Sequence, residues 1–362
     1  MIHIIDSYDI GYRHLDHYTT TVPDMLRDYG YEVNVISGTT TIATQNDMIA
    51  NIAYKGSQFN ALYQYMILEK FKDGDMFIFS NAWDVNVLQL RRMVDILKLK
   101  NIKYVGIWRD GMYDRNNRMR SAMVGLEKDW ANNAECALYR SYDMNIFFSE
   151  RIKAKFFALH RYRDTMYVAV LGYPINIQKI RESYTTNVPK EDLIVIPHTT
   201  YSEHVQHTLV AIRRLLPNYT IIDSCELGLT RNEYYDVLMR AKIVLSIDNS
   251  ESDPTCIYES ICFGCIPIAP NVGIYAETMP DEYLYDTRII TEPFLNFVKR
   301  REEIPEIVTR YITNYDVESG KLIEYASSYG KMYFDETKFL DIIKHVNERR
   351  YKRFDETRYR HR

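Results

Sequence analysis

Cysteine is scarce in this chain. The five present among 362 residues (Cys136, Cys225, Cys256, Cys262 and Cys265) are too few and too scattered for a disulfide framework. Cys262 and Cys265 form a C-x-x-C, which reads either as redox chemistry or half a zinc site, or as two small core residues around a helix end. No second pair stands at zinc spacing, which favours the core reading. Long apolar runs are also missing: none approaches the roughly 20 residues of a membrane span. The mean hydropathy of -0.34 is that of a soluble protein. The first residues, MIHIIDSYDIG, read as a strand entering a loop rather than as a basic, apolar leader. A cytoplasmic location is expected, in the host cell if the protein is viral. There is no Walker A, G-x-G-x-x-G, H-E-x-x-H or nucleophile elbow. Glycine is sparse, 14 against 31 tyrosines, and no motif claims the tyrosines.

Positive charge is short in the body and concentrated at the end. From His345 onward there are seven Lys or Arg (Arg349, Arg350, Lys352, Arg353, Arg358, Arg360 and Arg362) against three acids. The rest of the chain holds 38 basic and 46 acidic residues, a net charge of -8. A basic, Tyr-bearing tail on an acidic body suits phosphate contacts, and equally a solvated terminus.

What is plentiful is alternation. Strand signals at Ile2–Ile5, Glu32–Ile36, "MFIFS", Tyr104–Ile107, Asn145–Phe148 and Met166–Val170 alternate with helical signals at Tyr18–Tyr29, Gln58–Lys72 and Val85–Lys98. Short apolar strands between amphipathic helices predict a parallel sheet covered on both faces. Residues 171–192 lack periodicity and hold Gly172, Pro174 and Pro189, as a linker would. The alternation restarts with strands at Leu193–Ile196, Thr220–Ile222, Ile243–Ile247 and Ile266–Ala269, and helices at Glu203–Leu216 and Asn232–Arg240. From about Phe294 the chain reads as helical. The expected class is α/β, with two such units and helices at the C-terminal end. Ligands of open α/β sheets sit beyond the carboxyl ends of the strands, so the cleft between two such sheets is the expected site.

The loop after "IVLSI" is the most informative. It carries Glu251, then Asp253 or Thr255 as the helix cap, with Pro254 suited to a first helical position. Amides of Thr255 and Cys256 would hold an anion such as a diphosphate. Glu259, one turn in, would accept hydrogen bonds from a ribose diol, and Glu251 from a second polyol. The plain alternative is a capped helix with two solvated glutamates.

This stretch resembles the donor-site signature of retaining glycosyltransferases of the GT-B fold, the family-4-like branch, which reads E-G-F-G-x-x-x-x-E-A-x-x-x-G-x-P-V. The Glu251-x7-Glu259 frame, Gly264 and Pro267 match, while "SDP" stands in place of G-F-G. The resemblance implies two Rossmann-like domains facing across a cleft: 1–172 on the acceptor side, 173–335 for the nucleotide-sugar, and 336–362 as a helix crossing back with the basic tail. It implies Glu259 on the nucleotide ribose. The stretch "IVIPHTTYSEHVQ" is similar to a loop of the phage DNA α-glucosyltransferases in which Arg and Lys flank threonines. Here Thr199 and Thr200 are kept, His198 stands at the Arg position and His204 near that of the Lys. That likeness implies a diphosphate grip by His198, Thr199 and His204. A histidine is cationic only below about pH 6.5, so Arg240 or Arg109 would supply further charge.

In "VGIWRDGMYDRNNRMRSAM", Asp110 follows an apolar strand, where the phage DNA α-glucosyltransferases have an Asp and many members of the wider family a His. The resemblance implies that it orients or deprotonates the acceptor hydroxyl, with Arg109 beside it; a simple turn residue before Gly111 is the alternative. Arg115, Arg118 and Arg120 make the stretch basic, suiting a phosphate-rich acceptor or a solvated face. In the first loop only Gly11 matches the glycine pair that lets backbone approach the sugar. The "DGD" at Asp73–Asp75 is set aside as a metal motif, because it precedes a strand and so lies at the wrong sheet edge. The function implied is metal-independent, retaining transfer from a nucleotide-sugar, a UDP-sugar, with no permanently bound cofactor. The acceptor implied is a hydroxymethylated base in double-stranded phage DNA. Alternatives are a cell-surface glycan acceptor, a nucleotide-sugar epimerase, or a noncatalytic binding protein.

Overall fold

The computed structural model describes residues 1–6, 17–38, 47–68, 70–109, 111–112, 125–160, 168–175, 180, 182, 184, 188–197, 203–224, 226–247, 255–286, 303–334 and 336–348. Gly11, Asp110, Arg115, Arg118, Arg120, His198, Thr199, Glu251, Asp253 and the tail from 349 onward lie outside the described residues. His204 falls within a helix, but its side chain lies outside them too.

The first sheet contains β1 (Ile2–Ile5), β2 (Val33–Ile36), β3 (Met76–Phe79), β4 (Lys103–Trp108), β5 (Met144–Phe147) and β6 (Val168–Val170). All pairs are parallel, in the order β2-β1-β3-β4-β5-β6. Strands β1, β3, β4 and β5 are buried along their whole length, as strands covered on both faces must be. The cover is α1 (His17–Asp28), α2 (Asp47–Ile67), α3 (Asn86–Leu97), α4 (Leu126–Ser141) and α5 (Glu150–His160). Gly106 sits in β4 because an added Cβ would come within 2.6 Å of the buried Tyr142 ring.

The second sheet contains β7 (Glu191–Ile196), β8 (Thr220–Asp223), β9 (Ala241–Leu245), β10 (Ile266–Pro270) and β11 (Leu284–Tyr285). It is also parallel, ordered β11-β10-β9-β7-β8. Its helices are α6 (Glu203–Leu215), α7 (Arg231–Arg240), α8 (Thr255–Cys262) and the single turn α9 (Tyr275–Thr278). Helix α7 starts on a capping box, with Thr230 and Glu233 each satisfying the other's backbone amide. Helix α8 stops at Gly264, whose φ of 75° lets its amide reach Ile261 O (3.0 Å) and that of Cys265 reach Ser260 O (2.9 Å). Among the described residues three more helices follow: α10 (Glu303–Thr313), α11 (Tyr315–Tyr333) and α12 (Glu336–Glu348). Lys338 of α12 donates to Val170 O at the end of β6 (3.0 Å), so the last helix touches the first sheet. Among the described residues no helix is long and apolar enough to cross a membrane.

The tyrosines have a structural use. Tyr142, Tyr285, Tyr311, Tyr315 and Tyr325 donate their hydroxyls to the carbonyls of Ala82, Ser246, Glu282, Gly264 and Thr278 at 2.6–3.0 Å. Each ring packs in or against the core while its hydroxyl satisfies a carbonyl in a turn or at the end of an element.

The C-x-x-C is core: Cys262 and Cys265 are buried, and the Cys265 thiol donates to Leu238 O (3.1 Å). Burial pushes that thiol up to about 11. The "DGD" lies at the amino edge of the first sheet, where the buried Asp75 accepts from the Lys72 amide (2.8 Å) and pairs with His3 of β1 (3.1 Å). Burial pushes the Asp75 carboxyl up, but the His3 imidazole and the Lys72 amide outweigh it and hold the group below its ordinary value. Its stabilisation is therefore present above the unfolded-state pKa and lost as pH falls through the folded one. Asp75→Asn is expected to lower stability by about 1–3 kcal/mol at neutral pH. Urea unfolding between pH 7 and 3 should show a flatter acid limb for the variant.

Candidate active site

The carboxyl edges of the two sheets are joined by one carboxylate. Glu277, in α9 beyond β10, accepts from the amides of Glu150 (2.9 Å) and Arg151 (3.0 Å), which open α5 just beyond β5. Ser149 Oγ takes the next amide, that of Ile152 (3.1 Å). A negative group on free helix N-terminal amides is electrostatically favourable. The contact spans the two units and places their carboxyl edges, the ligand edges of such sheets, against each other.

On the second sheet's side stands α8, which the sequence reading picked out. Its residues Thr255, Cys256 and Glu259 are all buried. Glu259 is fully enclosed, so it is not the solvated glutamate of the plain alternative. A buried carboxylate needs hydrogen-bond donors. Tyr235 of α7, itself fully buried, supplies one to Oε1 at 2.6 Å. The Tyr235 ring is held between Tyr184, edge-on at 4.9 Å, and Phe263, tilted at 4.9 Å. Beyond the end of β9, Ser246 Oγ and Tyr275 Oη lie 3.0 Å apart, tying the strand end to α9.

On the first sheet's side, Arg109 follows β4, Phe148 follows β5 and Tyr173 lies beyond β6. The Arg109 guanidinium carbon is 5.9 Å from the Phe148 centroid and 5.8 Å from that of Tyr173, and the residue is 9% exposed. A cation beside a pair of rings, whose own centroids are 5.0 Å apart, in a desolvated place is a strong local field. The chain after Arg109 is pinned again at Met112, whose amide donates to Glu135 Oε1 of α4 (2.7 Å). Asp110 lies between these anchors in sequence.

A second polar group closes the ends of β1 and β3. Lys55 of α2 donates to Asp84 Oδ2 (2.7 Å), Asp6 O (3.1 Å) and Gln58 Oε1 (3.1 Å). Gln58 in turn donates to Asp6 Oδ1 (2.9 Å), which Tyr54 also reaches. These groups are spent on one another and frame the first-sheet edge.

One expectation is corrected. Arg240 ends α7 and pairs with Glu191 at the start of β7 (3.4 Å), so it lies at the amino edge of the second sheet and cannot serve a diphosphate at the carboxyl edge. The other cation named for that task, Arg109, is buried directly after β4, at the carboxyl edge of the first sheet. The sequence reading missed Tyr235, Glu277 and Glu135. Each acts through a partner at least 23 residues away, a pairing that local spacing does not carry.

No family model matches the chain. A stretch of 102 residues is 29% identical to the tRNA-queuosine alpha-mannosyltransferase of Drosophila melanogaster, covering 28% of this chain and 27% of that protein. Among solved structures, sucrose-phosphate synthase from Thermosynechococcus elongatus superposes with a TM-score of 0.65 at 12% identity, covering 95% of this chain and 98% of that one. Anabaena HepE, in complex with UDP and glucose, gives 0.58 at 13% identity, covering 96% and 99%. S. aureus TarM gives 0.53 at 10% identity, and there this chain spans only 59% of the neighbour's length. The architecture is the GT-B fold. Two parallel-sheet, Rossmann-like units with surrounding helices are what the sequence reading expected.

Proposed function

We propose that this protein is a metal-independent glycosyltransferase that moves a sugar from a nucleotide-sugar, a UDP-sugar, to a hydroxyl on a nucleic acid with retention. The observation that carries the proposal is the meeting of the two carboxyl edges at Glu277, with the Glu259 helix on one side and Arg109 on the other. In this reading the amides of Thr255 and Cys256 and the Arg109 guanidinium meet the diphosphate, and Glu259 holds the ribose. As the C1–O bond to the diphosphate breaks, negative charge grows on the leaving group, and these donors would stabilise it. The acceptor oxygen bonds C1 on the same face. Its proton leaves to Asp110 or to the departing phosphate oxygen. Glu251 and Asp253 are assigned to the same donor pocket from their place on the loop before α8, and Thr199, His198, His204 and Gly11 on the resemblance.

The acceptor we favour is a hydroxymethylated base in phage DNA, engaged through Arg115, Arg118, Arg120 and the basic tail. Such a base would leave the stack to be reached. The 102 residues shared with a tRNA-queuosine alpha-mannosyltransferase favour a second acceptor, a modified base in tRNA. Both are glycosylated nucleosides, and one assay separates them. The protein is incubated with a panel of nucleotide-sugars alone, with hydroxymethylated duplex DNA, or with tRNA, and the digested nucleosides are weighed by mass spectrometry. One added sugar mass on a single nucleoside is expected. Donor cleavage at the same rate without either nucleic acid overturns the acceptor. An isomerised donor of unchanged mass makes the protein an epimerase, and no donor turnover at all removes the transferase.

A further inference from the structure

Behind the Met112 anchor stands a thiol, an imidazole and a carboxylate in a row. Cys136 Sγ of α4 lies 3.1 Å from His160 Nδ1 at the end of α5. His160 Nε2 pairs with Glu135 Oε2 of α4, and Glu135 is fully buried. The Phe156 ring packs on the imidazole, 4.6 Å between centroids, and fixes its plane. With the carboxylate on Nε2, that nitrogen carries the proton and Nδ1 is left to accept one from the thiol. The other oxygen of the same carboxylate holds the Met112 amide. Cys136 is a free thiol and partly exposed, whereas Cys256, Cys262 and Cys265 are buried.

We infer that Cys136 is a modification site, a thiol activated by the His160–Glu135 pair that reacts with small disulfides. The thiol proton passes to His160 Nδ1 and the thiolate attacks one sulfur of the disulfide. The old S–S bond breaks, a mixed disulfide forms on Cys136, and the second sulfur leaves as a thiolate that can take the proton. The adduct occupies the space on the thiol side of His160. Displacing the imidazole removes one of the two partners of Glu135 described here and loosens its hold on Met112, next to the segment carrying Arg109 and Asp110. The thiol chemistry stands apart from the sugar-transfer reading; an effect on acceptor turnover rests on that reading.

The test uses the full chain with Cys225→Ser, an aromatic disulfide as probe, and release of the coloured thiolate as readout. An ordinary thiol is only about 3% ionised at pH 7, so full activation is worth at most roughly 30-fold. We expect one adduct, located on Cys136 by peptide mass spectrometry, forming about tenfold faster than with glutathione. His160→Gln should slow it by about the same factor. Hydrogen exchange at the Met112 amide should quicken in the adduct relative to the unmodified protein. A Cys136 rate equal to that of glutathione, or unaltered by His160→Gln in a folded variant, overturns the inference. If circular dichroism shows that His160→Gln does not fold, the wild-type rate ratio and the Met112 exchange decide. Neither readout involves a nucleotide-sugar, so a failure here is distinct from a failure of the transferase assay.

Discussion

Glu259→Ala is expected to cost about 2–5 kcal/mol in kcat/KM for the donor, roughly 30-fold at the low end. The carboxylate lies inside α8, fully buried, with Tyr235 on Oε1. Truncation therefore has two consequences. On the proposed reading it removes the acceptor for the ribose diol, and it also takes from a buried tyrosine hydroxyl its Oε1 partner, which by itself costs about 1–3 kcal/mol of stability. Tyr235→Phe separates the two. It keeps the carboxylate and removes only its positioning donor, so the donor KM should rise severalfold while kcat holds. Donor binding by calorimetry, beside thermal melts of both variants, reads each term. A Glu259→Ala protein that is folded, less stable, and still binds donor like the wild type would make Glu259 a core carboxylate and nothing more.

How much of this was readable from the chain follows from what faces the core. The strands were legible because β3, β4 and β5 present apolar residues to both faces, so a short continuous run signals them without any partner. Helix α2 was read from Gln58 but begins at Asp47. Its early inward residues, Tyr54, Lys55 and Gln58, are polar and meet Asp6 and Asp84. A hydrophobic period cannot register a helix anchored by hydrogen bonds. Helix α4 went unread as a helix, and it too turns a carboxylate, Glu135, inward. Helix α8 was legible from the strand and loop before it, which is local chemistry, and it begins at Thr255, so that residue opens the helix rather than capping it. The burial of Glu259 was not legible, because it depends on Tyr235, 24 positions away. Nor was the joining of the edges, where Glu277 reaches amides more than 120 positions earlier.

Arg109→Met is expected to lower kcat by about 10²–10³-fold, the loss of roughly 2.7–4 kcal/mol of transition-state stabilisation, with the fold intact. Methionine keeps an unbranched apolar stem beside Phe148 and Tyr173, so the packing at the ends of β4 and β5 is largely preserved. What it deletes is the charge, in a place too dry for solvent to replace it. Arg109→Lys restores the charge without the planar stack and should recover part of the rate. The two variants distinguish two roles for one cation. If Arg109 serves the leaving diphosphate, kcat falls in methionine and partly returns in lysine, while the melting temperatures stay close. If it serves only the aromatic pair, the methionine variant loses stability, on the order of 2 kcal/mol for a desolvated cation–π contact, the lysine variant loses less, and the folded protein turns over as before. Single-turnover rates with saturating donor, set against the melts, choose between them. The second outcome would leave the first-sheet edge with no described cation at the diphosphate and move that task to the segment that begins at His198.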